Sequence, residues 1–396
     1  MLNLDYSLPL HPEPAVERPR LHPIDWMRGI AMLLMVVDHA STVLNPGRLF
    51  LDSTWIGGLG ANLAPAGSPW QFLTRWITHL CAPTFVFLAG TSLAMSSAKR
   101  RALGIPWRDI DRHVLVRGLI IVALELWMAL AFGMVLFQVL FALGAGMMCM
   151  VLLRRVPPRL LLAGSLAWIV GGEAVTSALG LSFGGPAPVW VGWLLVPTVQ
   201  KSFFLGIGGG FAYPLLGWLP LMALGWVYGG FLVTKPARSS RDRVLPLLGF
   251  GAVSLATFAL QRVWNAYGNF GLARTDDTLL RWLQVNKYPP SLAYVGLELG
   301  ILFFVLAACF AFAGRRPVRK HNPLLVFGQT ALFFYLLHFH LLRLVGLAVT
   351  GGYRKPDWGL GATYAAALGA LLLLYPACRW YRGFKARHPH GWARYV

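Results

Sequence analysis

The chain has 396 residues, 57% hydrophobic and only 13% charged, with a formal net charge of +20. A soluble domain is nearer half apolar and about a quarter charged. With a mean hydropathy of +0.59, the surplus apolar surface has to face lipid. Intrinsic disorder, a secreted disulfide scaffold and a soluble nucleic-acid binder are excluded, and no nucleic-acid partner is expected.

In chain order, residues 1–23 are polar and proline-bearing and read as a cytoplasmic tail. The first apolar run follows without a small-residue cleavage site, so the start does not read as a cleaved signal peptide. A hydrocarbon core about 30 Å thick takes about 20 helical residues. Runs of that length cover 24–45, 74–97, 113–132, 134–153, 160–181, 211–234, 244–261, 291–313, 324–346 and 360–378. They lack the period-2 alternation of strands and are too long for them. The fold class predicted is therefore all-α: a polytopic membrane bundle of about ten helices. One transmembrane domain spans 24–378, followed by a basic tail at 379–396.

Lys and Arg set the orientation. Clusters follow span two (Lys99, Arg100, Arg101, Arg108, Arg112), span four (Arg154, Arg155, Arg159), span six (Lys235, Arg238, Arg241, Arg243) and span eight (Arg315, Arg316, Arg319, Lys320). The tails add Arg18, Arg20, Arg379, Arg382, Lys385, Arg387 and Arg394. All fall on one side, which places both termini in the cytoplasm. Loops 46–73, 182–210, 262–290 and 347–359 face the other side and are rich in Trp, Tyr, Gly and Pro. No internal repeat is evident, which weighs against a transporter. Cys81, Cys149, Cys309 and Cys378 lie in or beside apolar runs and read as buried free thiols; no zinc spacing occurs and no metal is expected.

Ionisable side chains inside a span cost several kcal/mol unless paired or hydrated, and so carry information. At about 1.5 Å per residue, His39 lies roughly 22 Å from the cytoplasmic end of its span, His79 roughly 27 Å and His338 roughly 21 Å. Glu125, Glu173 and Glu298 come to roughly 18, 20 and 22 Å by the same count. This shared outer-half layer reads as a functional cavity. Asp38 is a candidate to hold an imidazole in one tautomer. His340 points about 200° around the helix from His338, so the two do not share one site. Toward the cytoplasm, Asp25 and Arg28 are spaced to pair at i, i+3. Arg117 enters its span from the same side. Asp25, Arg28 and Arg117 read as an anion site at the cytoplasmic mouth, against the alternative that Arg117 only snorkels to the interface.

Five stretches carry a resemblance: RLHPIDWMRGIAMLLMVVDHAS (20–41), FLTRWITHLCAPTFVFLAGTS (72–92), YPLLGWLPLMALGWVYG (213–229), KYPPSLAYVGLELG (287–300) and FGQTALFFYLLHFHLL (327–342). Together they resemble bacterial membrane proteins related to heparan-alpha-glucosaminide N-acetyltransferase, within a wider group that includes the acyltransferase type 3 proteins. Gln329 stands where an Arg is usual. The resemblance implies a bundle of about ten helices in the bacterial cytoplasmic membrane, acetyl-CoA or another acyl-CoA entering from the cytoplasm, and a glycan acceptor on the far side. In the type 3 proteins an Arg near the start of the first helix precedes a catalytic His near its outer end, and Arg28 and His39 match. The heparan enzyme's proposed catalytic His precedes its second span, but no histidine lies here between His39 and His79. His79 stands where that enzyme carries an Asp.

The expected function is thus acyl transfer across the membrane with an intramembrane base: His39 first, His79 second, His338 third. Trp76 or Tyr335 would offer an oxyanion donor, and outer tryptophans Trp55, Trp70, Trp190, Trp193 and Trp264 suit sugar faces. Expected partners are membrane lipid, acyl-CoA and the glycan; a homodimer stays open. A proton-coupled transporter and a catalytically silent protein on the same scaffold are the alternatives.

Overall fold

The structure, a computed structural model, describes residues 21–48, 68–181, 187–204, 206–235, 237, 239–315, 318–350, 358–388, 391 and 395. Arg18, Arg20, Trp55, Arg238, Arg316 and Arg394 lie outside them.

Helix α1 (His22–Leu44) begins with proline in its first turn, where a missing N–H costs nothing, and with Asp25 at the positive end of the helix dipole. The second predicted run divides into α2 (Pro69–Ile77), a 3₁₀ turn (Thr78–Leu80) and α3 (Cys81–Ala102). Lys99, Arg100 and Arg101 close α3 at its negative end. Next come α4 (Trp107–Phe132), β1 (Val135–Phe137), α5 (Val139–Leu153), α6 (Pro158–Ala178) and α7 (Val189–Leu194). Strands β2 (Thr198–Phe204) and β3 (Ile207–Phe211) precede α8 (Leu215–Thr234), α9 (Arg241–Trp264), α10 (Leu279–Leu283) and α11 (Leu292–Ala313). The ninth predicted run breaks at Thr330 into α12 (Pro323–Gln329) and α13 (Ala331–Thr350); α14 (Leu360–Arg387) completes the bundle.

The molecule is an all-α membrane bundle. Among the described residues, eight helical stretches are long and apolar enough to cross a membrane: α1, the α2–α3 unit, α6, α8, α9, α11, α13 and α14. The third and fourth predicted runs correspond to α4 and to α5, which has 15 residues. One feature departs from the sequence reading, which saw 182–210 only as an aromatic loop. Strands β2 and β3 at the end of that stretch join β1, which occupies the start of the fourth predicted run, in a small sheet of order β1-β3-β2, with β1 parallel and β2 antiparallel to β3. Phe137, Phe203 and Phe211 pack on it and against Phe141 of α5.

Helix α1 is the hub, touching α3, α11, α12, α13 and α14. Met27, Ala31, Val36, Ala40 and Leu44 are fully buried. The outer helices face lipid: Leu245, Val253, Leu260 and Val263 of α9 and Leu368, Leu372 and Leu373 of α14 are all exposed. Apolar burial does not separate helix from lipid, so close packing through small residues holds such bundles together. A Cβ on Gly328 would lie 1.8 Å from the Asp25 carbonyl oxygen, and one on Gly225 would lie 1.9 Å from that of Phe87. The α1–α12 and α3–α8 contacts therefore require glycine.

Candidate active site

The hub helix and α13 bring two of the predicted histidines together. His39 Nδ1 lies 2.6 Å from His338 Nε2, and the rings stack with centroids 4.9 Å apart. His338 Nδ1 lies 3.0 Å from the carbonyl oxygen of Phe334, one turn back on α13. A carbonyl only accepts, so His338 Nδ1 carries the proton and donates. In the neutral ring Nε2 is then an acceptor, and His39 Nδ1 donates to it. That leaves His39 Nε2 with a free lone pair. Phe334 stacks on His338 at 5.2 Å; Phe339 and Tyr335 meet His39 edge-on at 4.9 and 6.3 Å. His338 is fully buried.

Asp38 does not reach the imidazole of its neighbour. Successive residues on a helix point about 100° apart, and its carboxylate turns to Arg75 (2.6 Å), Arg48 (2.9 Å) and the Thr78 hydroxyl (3.0 Å). Arg48 also donates to the Asp38 carbonyl at 2.7 Å. Asp38 thus ties the C-terminal end of α1 to α2 and the 3₁₀ turn. The partner that fixes the His39 tautomer is His338, not Asp38.

His79 sits in the 3₁₀ turn, buried, its ring edge-on to Tyr294 at 6.1 Å. Pro83 has no N–H to give the carbonyl four residues before it, which is that of His79. The Tyr294 hydroxyl of α11 donates to this carbonyl instead, at 3.1 Å. The residue's backbone is therefore a joint between the second span and α11.

Sequence reasoning passed over Lys287. It is only 4% exposed and lies within electrostatic range of Asp38, His39, Cys81 and Glu298. Its ammonium stands 5.1 Å from the Tyr288 ring centre. The available signal was a lysine inside KYPPS, on the side of the membrane otherwise poorer in charge. Arg48 and Arg75 were missed likewise. Trp76 donates to the Leu283 carbonyl at 3.1 Å and is thereby engaged in holding α10.

The acid layer separates into different tasks. Glu125 accepts from the backbone N–H groups of Gln138 (2.8 Å) and Phe141 (3.1 Å), capping the start of α5. Glu173 accepts from Phe270 N–H at 2.8 Å, tying α6 to the loop after α9. Glu298 stays near Lys287. His340 packs on Trp127 of α4 at 4.8 Å, away from the pair.

At the other end of α1, Arg28 donates to Asp25 (3.2 Å), the Leu88 carbonyl (3.2 Å) and the Ser92 hydroxyl. Gln329 donates to the other Asp25 oxygen at 3.2 Å, and Arg382 of α14 approaches Gln329 Oε1 at 3.5 Å. A guanidinium thus reaches this corner from α14, although position 329 itself is uncharged. Arg117 lies in electrostatic range of Arg28, Arg100 and Tyr381. Arg28 and His39 are eleven residues apart on one helix, roughly 16 Å along its axis. Among the described residues, no three His, Cys, Asp or Glu side chains gather as a metal site.

Residues 20–263 match the family model described as heparan-alpha-glucosaminide N-acetyltransferase, catalytic. The chain belongs to this family. The matched part of the heparan-alpha-glucosaminide N-acetyltransferase family fold contains Asp25, Arg28, Asp38, His39, Arg75, His79 and Arg117, while Lys287 and His338 lie beyond it. A search of curated proteins finds no match. Membership makes this an integral-membrane protein of an acetyltransferase family.

Proposed function

We propose that the protein moves an acyl group, acetyl first, from cytoplasmic acyl-CoA to a sugar hydroxyl or amine on the outer side of the membrane, with His39 as the base. One observation carries this reading: the carbonyl-anchored His338 sets His39 in the tautomer whose Nε2 has a free lone pair. In this mechanism the acceptor O–H or N–H gives its proton to Nε2 as the oxygen or nitrogen attacks the thioester carbon. The carbon–sulfur bond then breaks, and the leaving thiolate takes the proton back from the His39 imidazolium. The ammonium of Lys287, buried and within electrostatic range of His39, offers a fixed positive charge to the transient oxyanion, in a dry setting where such a charge counts most. Arg28, Arg100 and Arg117 supply positive charge for the phosphates of coenzyme A, whose extended arm would run along α1.

The test is turnover of acetyl-CoA by purified protein with glucosamine-type acceptors, after folded yield and acyl-CoA binding have been checked. His39→Ala is expected to lower the rate by about 10²–10⁴-fold, and His338→Ala by about 10²-fold through a misplaced ring. Arg28→Ala is expected to weaken acyl-CoA binding. If His39→Ala binds acyl-CoA and turns over near normally, His39 is not the base. If no histidine variant changes the rate, the histidines are structural or serve transport.

A further inference from the structure

The start of α4 and the end of α5 enclose a groove that neither the histidine pair nor the Arg28 corner uses. Its volume is about 840 Å³, and its walls include Trp107, Arg108, Asp111, Arg112, Arg154 and Arg155 at one end. Leu115, Val116, Leu119 and Val151 continue the wall along the helices. The basic end is built rather than merely charged. Asp111 grips Arg154 with both carboxylate oxygens, at 2.8 and 2.5 Å, and the Arg154 guanidinium lies 4.0 Å over the Trp107 ring. The Asp111 carboxylate is consumed by that grip; Arg155 comes no closer to it than 4.0 Å and keeps a side chain 63% exposed. Arg108 and Arg112 are exposed one helical turn apart. Four arginines against Asp109 and Asp111 leave the lining with a net charge of +2.

Beyond the arginines the same face of α4 turns apolar. Leu115 is 39% and Leu119 59% exposed, three and seven residues past Arg112. A free phosphate or nucleotide would cover the arginines and leave this strip bare. A molecule with an anionic head and a hydrocarbon tail covers both.

We propose that this groove binds an anionic phospholipid. Its phosphate is held by Arg108, Arg112 and Arg155, and an acyl chain lies on Leu115, Val116 and Leu119. Guanidinium groups suit the head because they meet phosphate oxygens with paired N–H donors. The strip of leucines sets the direction of the tail, toward the bilayer interior. The proposal is independent of acyl transfer.

The test is native mass spectrometry of the purified full-length protein, titrated with dioleoyl phosphatidylglycerol or dioleoyl phosphatidylcholine. The wild type is expected to retain phosphatidylglycerol in preference. Arg108→Gln, Arg112→Gln and Arg155→Gln together are expected to weaken that retention on the order of 10–100-fold. Neutralising three exposed arginines elsewhere, Arg159→Gln, Arg241→Gln and Arg387→Gln, is expected to leave it unchanged. Leu115→Ser with Leu119→Ser tests the tail and is expected to weaken both lipids at this site. It and Arg112→Gln alone stand in should the triple variant not fold. Equal retention of the two lipids, an equal loss in the control triple, or unchanged retention in the groove variants would overturn the proposal. So would displacement of phosphatidylglycerol by coenzyme A from the wild type, which would make the groove a nucleotide site.

Discussion

At the scale of single residues, adjacency in sequence and adjacency in space part company at Asp38 and His39. The carboxylate looked like the natural orienter because it is next in the chain, yet the helix turns it toward Arg48, Arg75 and Thr78. Both guanidinium side chains are 6% exposed, so removing their shared anion takes an ion-pair partner from two buried cations. Loss of one member of such a buried pair costs about 3–5 kcal/mol. Asp38→Asn is therefore expected to lower the melting temperature of the detergent-solubilised protein by several degrees while His39 keeps its partner. A variant with unchanged stability and a lost catalytic step would instead give Asp38 a direct role. His39 and His338 were legible because ionisable groups at membrane depth are expensive, and Arg28 because its spacing from Asp25 suits an ion pair. Lys287 was not, because a lysine in a loop is ordinary until folding buries it.

Helices and their joints show a second kind of constraint. The 3₁₀ turn at Thr78–Leu80 exists where Pro83 removes a backbone donor, and Tyr294 repairs the loss from another helix. Glu125 performs a similar repair for α5, whose first N–H groups have no partner within the helix. Glu125→Ala is expected to destabilise the α4–α5 hairpin by about 1–3 kcal/mol, the cost of a buried donor left unmade. Hydrogen exchange at Gln138 and Phe141 should report it locally. Gly328→Ala has a sharper consequence. Its Cβ would fall 1.8 Å from the Asp25 carbonyl oxygen, so α12 must move from α1. Overpacking of this kind costs about 1–3 kcal/mol or more, and here it also shifts the Asp25–Arg28 pair. Gly164→Ala, with nothing within 4 Å of the added carbon, is the matched control and should be neutral. Equal melting temperatures for the two variants would show that α1 and α12 have room to separate.

For the whole molecule, the arrangement of charge predicts an orientation that labelling can check. Cysteines placed singly at Ser68, Asp276 and Ser240, on a background lacking Cys81, Cys149, Cys309 and Cys378, occupy exposed positions. With both termini cytoplasmic, an impermeant thiol reagent is expected to modify the Ser68 and Asp276 sites in intact cells and to spare the Ser240 site. Labelling of the Ser240 site alone would invert the topology, and with it the side from which acyl-CoA is proposed to enter.

The sequence by itself determined the solvent and therefore the element type: a chain this apolar must lie in lipid, and lipid leaves helices as the way to satisfy the backbone. Run lengths, the charged corners and the few costly ionisable groups followed from the same energetics, each readable from local sequence. Tertiary structure decided which of those groups meet. His39 and His338 are 299 residues apart and come within 2.6 Å because glycine contacts draw α12 against α1, and α13 follows. The direction of a side chain around its helix, the pairing of small residues between helices and the β1-β3-β2 sheet depend on partners distant in the chain. Local periodicity carries no record of them. What the fold adds is a choice among hydrogen-bond partners: His338, whose Nδ1–H donates to a backbone carbonyl, accepts from Nδ1 of His39 and so leaves Nε2 of His39 with its lone pair.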